Sequence, residues 1–175
     1  MKKLNIIIAI LTGISLVSCT KQTYYDANNR NIQRFDTELE EKTAKYILEL
    51  NDDIMLVKFI ATHARQQTQD NEFFADAEEL EKTMKRMKME LQMEALLQNI
   101  TVSSELSERN DDRYGHFQET EKDQIEKVFK NITEKTLQNI LKKTEVYITE
   151  GNNEKIQKFS LEVKNEVIEL LDMYS

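Results

Sequence analysis

The chain has 175 residues and a formal charge of −8, and it contains no proline, no tryptophan, three glycines and one cysteine. So few turn residues argue against β-sandwiches, β-barrels and glycine-rich nucleotide loops, and a single cysteine excludes an intramolecular disulfide framework or a multi-cysteine metal site. The acidic balance argues against a nucleic-acid partner, because phosphate binding needs a positive surface.

The first nineteen residues have the pattern of a bacterial lipoprotein signal peptide. A basic start, Lys2 and Lys3, precedes an apolar run over residues 6–17. That run is too short to cross a bilayer of about 30 Å as a helix, but it has the length of a signal-peptide core. It ends in a sequence that resembles a lipobox: Leu16, Val17, Ser18 and Cys19. We therefore predict that Cys19 is the site of lipid attachment and becomes the first residue after cleavage.

Cleavage before Cys19 divides the chain into three parts. Residues 1–18 are predicted to be the signal peptide, residues 19–31 the lipidated cysteine and a short polar tether, and residues 32–175 a helical domain. Cleavage removes two lysines and no acid, leaving 22 basic and 32 acidic residues and a formal charge of −10. Because an anionic membrane repels such a body, the lipid must provide the anchor.

From Ile32 onward, apolar residues recur at three- and four-residue steps, as in amphipathic helices. The first run is predicted to break or bend near residues 51–53, where an aspartate could cap a second helix. Further helices are predicted over residues 72–98, 125–147 and 154–174. Gly151 is predicted to end a helix in the left-handed conformation. Four or five helices joined by turns predict an all-α fold, an antiparallel bundle.

The predicted helix over residues 72–98 is apolar on two sides near its end. At 100° per residue, Met89 and Met93 lie almost opposite Met84 and Met87. Such a helix usually packs between partners, so these methionines are interpreted as core residues. The same angles argue against a copper(I) site, since one helix cannot direct all four sulfurs to one ion.

Residues 110–121 match part of a calcium-binding loop. Gly115 falls at position six and Glu121 at position twelve, as in that motif. However, Asn110 replaces the usual aspartate at position one, and Tyr114 occupies position five, where an oxygen ligand is expected. The segment is interpreted as a polar connection between helices, with calcium binding as the alternative.

The remaining motifs do not indicate catalysis. His63 and His116 follow Ile60 and Arg113 by three residues, so neither belongs to the Glu-x-x-His pairs of di-iron bundles. The chain also lacks a Gly-x-Ser-x-Gly motif. The basic residues Lys82, Lys85, Arg86 and Lys88 lie between the acidic residues Glu81 and Glu90 and are interpreted as a solvated face. We therefore predict no catalytic residue, no metal ligand and no cofactor, and a protein that is not an enzyme.

Taken together, the chain resembles the helical outer-surface lipoproteins of Lyme-disease and relapsing-fever spirochaetes. The resemblance rests on the Lys-Lys start, the lipobox that ends in Cys19, a short polar segment and a helical body rich in Lys, Glu, Ile and Asn. A weaker resemblance, around residues 57–61, is to small periplasmic bundle proteins of the ferritin-like type, whose iron ligands this chain lacks.

The spirochaete resemblance implies an outer-membrane protein, often displayed on the cell surface, that binds host or envelope macromolecules. The expected function is therefore that of a lipid-anchored, non-enzymatic lipoprotein acting through protein–protein contact, with a host factor among the candidate partners. The alternative is a structural or envelope-assembly lipoprotein that faces the periplasm. The resemblance assigns no binding residue.

Overall fold

The computed structural model describes residues 21–174, which form six α-helices and no strand. The helices are α1 (Tyr24–Arg34), α2 (Glu38–Gln67), α3 (Asn71–Leu97), α4 (Glu108–Gln118), α5 (Ile125–Glu150) and α6 (Glu154–Tyr174). The prediction of an all-α protein is confirmed for this part of the chain. None of these helices is long and apolar enough to cross a membrane. The predicted signal peptide and lipobox lie outside the described residues.

The four long helices surround one hydrophobic core. Helix α2 packs against α3 and α5, and α6 packs against the other side of the same two helices. The rings of Phe73 and Phe129, near the starts of α3 and α5, lie 5.1 Å apart, so these two helices run in the same direction. The chain must therefore return along the bundle between them, and residues 98–124, which include α4, form this return.

The return segment lies along α2. The backbone carbonyl of Ser103 accepts a hydrogen bond from the side-chain amide of Asn51 at 3.1 Å. Further along the segment, Tyr114 contacts the ring of Phe59 at a centroid distance of 5.6 Å. Helix α2 is thus covered by α1, α3, α5 and the return segment, which explains why sixteen of its thirty residues are buried.

Helix α2 is continuous, so the predicted break near residues 51–53 is wrong. Asn51, Asp52 and Asp53 are all buried within it. The aspartates do not cap a helix, because their carboxylates accept hydrogen bonds from the return segment and from α5. Polar side chains in the middle of a helix need such partners when they are buried.

Residues 24–31, expected to be part of a tether, form most of α1. The hydroxyl of Thr23 caps this helix by accepting a hydrogen bond from the backbone of Asp26 at 3.1 Å. The side chain of Asn31 donates to the carbonyl of Thr101 and accepts from its N–H, both at 2.8 Å. These polar contacts, together with packing of Ala27, hold α1 on the body. The segment can therefore form a packed helix although its sequence lacks apolar periodicity.

Two smaller expectations are also corrected. Gly151 has an extended conformation, with φ −68° and ψ 153°, rather than the left-handed one. Met84 and Met87 are fully buried, but Met89 and Met93 are 60% and 61% exposed. The described residues therefore cover only one side of the end of α3. The interpretation as core residues is right for Met84 and Met87 and wrong for Met89 and Met93.

Candidate functional site

A buried polar cluster is built around two aspartates of α2, Asp52 and Asp53. The carboxylate of Asp52 accepts hydrogen bonds from the N–H and hydroxyl of Ser107, at 2.7 and 2.6 Å, and from Asn110 at 2.8 Å. The carboxylate of Asp53 accepts from Asn139 at 2.7 Å and from Lys143 at 2.8 Å, both on α5. We call this the aspartate cluster.

The aspartate cluster joins three parts of the fold. Asn110 donates to both carboxylates, and its own amide oxygen accepts from Arg113, which also donates to Thr136 of α5 at 2.8 Å. Burial raises the pKa of Asp52, and the charge of Asp53 raises it further, against the lowering effect of its hydrogen bonds from Ser107. The two carboxylates are thus occupied by donors from the protein itself, and the cluster fixes the return segment and α5 on α2.

The cluster also affects Tyr24 of α1. Burial and the nearby charges of Glu49, Asp52 and Asp53 raise the pKa of Tyr24 to about 12. Tyr24 is thus partly buried beside these acidic residues of α2. Its neighbour Tyr25 points outward and is 72% exposed, so the two adjacent tyrosines have different surroundings.

A cleft of about 450 Å³ opens between the first half of α2 and the second half of α5. Its wall contains the stacked rings of Tyr46 and Tyr147, whose centroids lie 4.2 Å apart at an interplanar angle of 10°. The hydroxyl of Tyr46 is hydrogen-bonded to Ser160 and that of Tyr147 to Thr43, each at 2.8 Å. The two rings are therefore held rigidly, and the cleft has the size of a small-molecule site.

Four lysines line this cleft, although the protein as a whole is acidic. They are Lys42, Lys45, Lys142 and Lys143. Lys143 is paired with Asp53 and Glu49, Lys45 with Glu49, and Lys42 with Glu38. Lys142 makes no ion pair with any described residue, and Glu150 also lines the cleft. The walls therefore combine stacked aromatic rings with charged groups of both signs.

An apolar stripe lies on the outer side of α3, at its C-terminal end. Four residues, spaced at i, i+4, i+7 and i+8, form it and are 60–74% exposed: Met89, Met93, Leu96 and Leu97. At this spacing they share one face of the helix. We call it the α3 stripe. Grouped apolar side chains of this kind mark contact surfaces in soluble domains.

The structure also places the other residues that the sequence singled out. Residues 110–118 lie within α4, so they do not form the loop of a calcium site, and no group of three or more potential metal ligands occurs in the described part of the chain. His63 packs edge-on against Phe117 at a centroid distance of 5.6 Å. Within residues 82–88, Lys82 pairs with Glu78 and Arg86 with Glu166. Leu16, Val17, Ser18 and Cys19 lie outside the described residues.

Sequence reasoning missed the aspartate cluster and the cleft. The only local signal was the Asn51-Asp52-Asp53 sequence inside an apolar run, and it was interpreted as a helix boundary. The partners of Asp53 lie 86 and 90 residues away in the chain, so no local pattern connects them.

Comparison with known proteins found no matching protein-family model, no similar curated protein and no similar solved structure.

Proposed function

We propose that the chain is a bacterial lipoprotein, held on the outer membrane by lipid on Cys19, that acts by binding another protein. The observation that carries this proposal is the sequence Leu16-Val17-Ser18-Cys19 at the end of a short apolar run. The resemblance of the chain to spirochaete surface lipoproteins favours display on the cell surface. The folded body is best described as an antiparallel bundle of α2, α3, α5 and α6, with α1 and α4 packed on it.

Binding rather than catalysis is supported by the state of the polar side chains. Each of the four carboxylate oxygens of Asp52 and Asp53 accepts at least one hydrogen bond from a serine, asparagine or lysine donor. A general base or metal ligand needs at least one oxygen open to substrate or ion. The α3 stripe, by contrast, offers an apolar surface that a protein partner could cover.

Protease accessibility on intact cells tests the anchor and its location. Surface display predicts that proteinase K digests the wild-type protein before the outer membrane is broken. The Cys19→Ala variant should lose its partition into detergent, since the acidic body has no other strong membrane attachment. If this variant partitions like the wild type, the lipoprotein proposal is wrong.

A second candidate function is a role in envelope assembly on the periplasmic side. It is favoured by the short distance between Cys19 and the folded body, because Gln22 is already hydrogen-bonded to Ser104. A bundle held this close to the membrane reaches neighbouring membrane proteins more readily than distant ligands. Survival of the protein in the proteinase K experiment, followed by digestion after the membrane is broken, would favour this candidate.

The α3 stripe gives a direct test of partner binding. Met93→Ser combined with Leu96→Ser should abolish cross-linking to the partner in cells, while the melting temperature stays close to that of the wild type because both side chains are exposed. The control is Leu161→Ser, at a residue of α6 that is 49% exposed. Equal cross-linking by the stripe variant and the control would remove the stripe from the proposal.

A further inference from the structure

The folded body begins very close to the predicted lipid. The backbone of Gln22 donates to Ser104 Oγ and accepts from Ser104 N–H, both at 2.9 Å. Lys21 forms an ion pair with Glu105 at 3.4 Å. Gln22 is the third residue after Cys19, and three residues span at most about 11 Å. A lipid on Cys19 therefore holds Gln22, two residues before α1 begins, within about 11 Å of the membrane interface.

Helix α1 presents an outer face with an apolar and aromatic character. Tyr25 and Ile32 are seven residues apart, so they lie on the same side of the helix, and they are 72% and 52% exposed. Asn29 lies between them on that side. The opposite side carries the buried residues Ala27 and Asn31, which pack against the body. Tyrosine with an apolar neighbour is typical of residues at a lipid–water interface.

The charge of this segment differs from that of the rest of the protein. Residues 21–34 contain three basic residues, Lys21, Arg30 and Arg34, and one acidic residue, Asp26. The segment therefore has a formal charge of +2, although the whole chain has −8. Basic residues beside a lipid anchor are attracted to anionic headgroups, and acidic surfaces are repelled from them.

From these three observations we propose that the outer face of α1 lies on the lipid surface. Tyr25 and Ile32 then sit at the level of the headgroups. Because α1 packs on α2 and α6 lies on the far side of α3 and α5, α6 faces away from the membrane. The bundle lies sideways on the membrane and does not stand upright at the end of a tether. This inference rests on lipid attachment at Cys19, as proposed above.

Two labelled variants in liposomes test this orientation. Asn29→Cys places a thiol on the outer face of α1, and Asn165→Cys places one on the exposed side of α6. Because Cys19 is the only native cysteine and is blocked by lipid, the introduced thiol alone reacts with an environment-sensitive fluorophore. The lipidated protein is reconstituted into vesicles of phosphatidylethanolamine and phosphatidylglycerol, with and without nitroxide-labelled lipid.

The expected result is a blue-shifted emission at position 29 that is lost with nitroxide lipid, and an unshifted, unquenched emission at position 165. Equal emission at the two positions in protein that floats with the vesicles would overturn the orientation but not the anchor. Failure of the lipidated protein to float would instead contradict the proposed function. A shift at position 29 that disappears at one protein per vesicle would indicate contact with a second copy, and would also overturn the orientation.

An acid placed on the outer face gives a matched second test. Ile32→Glu should reduce the blue shift and the quenching at position 29, because it places an acid against anionic lipid. The control is Leu161→Glu, which makes the same kind of change at a residue of α6 that is 49% exposed. Both proteins should still float, since the lipid is unchanged. An equal effect of the two substitutions would contradict a specific contact through α1.

Discussion

Gly151 shows how one residue without a side chain permits the packing around the tyrosine pair. Any residue can adopt its φ and ψ of −68° and 153°. Glycine is needed at this position because a side chain would not fit. A Cβ built on Gly151 would lie 2.5 Å from the carbonyl oxygen of Tyr147 and 2.7 Å from its ring. The ring of Tyr147 is stacked on Tyr46 and its hydroxyl is bonded to Thr43, so it cannot move without losing these contacts.

We therefore expect Gly151→Ala to lower the free energy of unfolding by about 1–3 kcal/mol, as other overpacked sites do. The matched control is Gly115→Ala in α4, where a Cβ would meet no atom within 4 Å. Replacing a glycine inside a helix should raise stability by roughly 0.5–1 kcal/mol. Urea denaturation of both variants measures the difference, and a destabilised Gly115→Ala would contradict this explanation.

Asp52 is expected to make stability depend on pH. Burial raises the pKa of this carboxyl above its ordinary value of 3.8, so the folded state favours its neutral form. The stability that the neutral form contributes is complete below pH 3.8 and is lost as the pH rises through the pKa of the folded state. The free energy of unfolding of the wild type minus that of Asp52→Asn should therefore fall as the pH rises through this window.

Denaturation of both proteins at several pH values, with circular dichroism to confirm helix content, measures this difference. A difference that grows with pH would mean that the ionised carboxylate is the form that stabilises the aspartate cluster.

At the scale of elements, α1 and α2 show that polar side chains can position a helix as well as apolar ones. Helix α2 stays continuous through Asp52 and Asp53 because α5 and the return segment supply donors for both. Helix α1 buries a single apolar residue, Ala27, and the side chain of Asn31 pairs with both backbone groups of Thr101. Asn31 is 3% exposed, so its loss leaves these backbone groups without a partner.

We expect Asn31→Ala to loosen α1 from the body, at a cost of about 1–3 kcal/mol for the groups left unpaired. Amide hydrogen exchange should speed up over residues 24–34 far more than over α5. The control is Asn28→Ala, since Asn28 is only partly buried and its side chain makes no hydrogen bond with a described residue. Equal exchange in the two variants would mean that packing of Ala27 alone holds α1.

At the scale of the whole molecule, the excess of acidic residues decides how the body meets a membrane. The chain without the predicted signal peptide has a formal charge of −10, and the basic segment at α1 is too small to outweigh it. We expect unlipidated Cys19→Ala protein to remain in solution with anionic vesicles at physiological ionic strength, whereas the lipidated protein floats with them. Flotation of the variant would mean that the body itself has affinity for lipid.

The sequence predicts those parts of the fold that depend on local patterns. The bounds of α3, α5 and α6 follow from apolar periodicity and from the stop at Gly151, within two or three residues of the observed helices. Periodicity fails for α1, which lacks a full apolar stripe, and at residues 51–53, where polar residues are buried. Periodicity also fails for Met89 and Met93, because it identifies an apolar helix face without showing whether another part of the protein packs on that face.

By itself, then, the sequence determined that the folded part is helical, and it supplies the pattern from which a lipid anchor at Cys19 is predicted. Both are local features, encoded within a few turns of chain or a few adjacent residues. The tertiary structure alone decided that Asp52 and Asp53 are buried and satisfied, that Tyr24 is partly buried while Tyr25 is exposed, and that no described residue covers the α3 stripe. These outcomes depend on groups that come from distant parts of the chain, such as Lys143 beside Asp53 and Thr101 beside Asn31, which only the assembled bundle brings together.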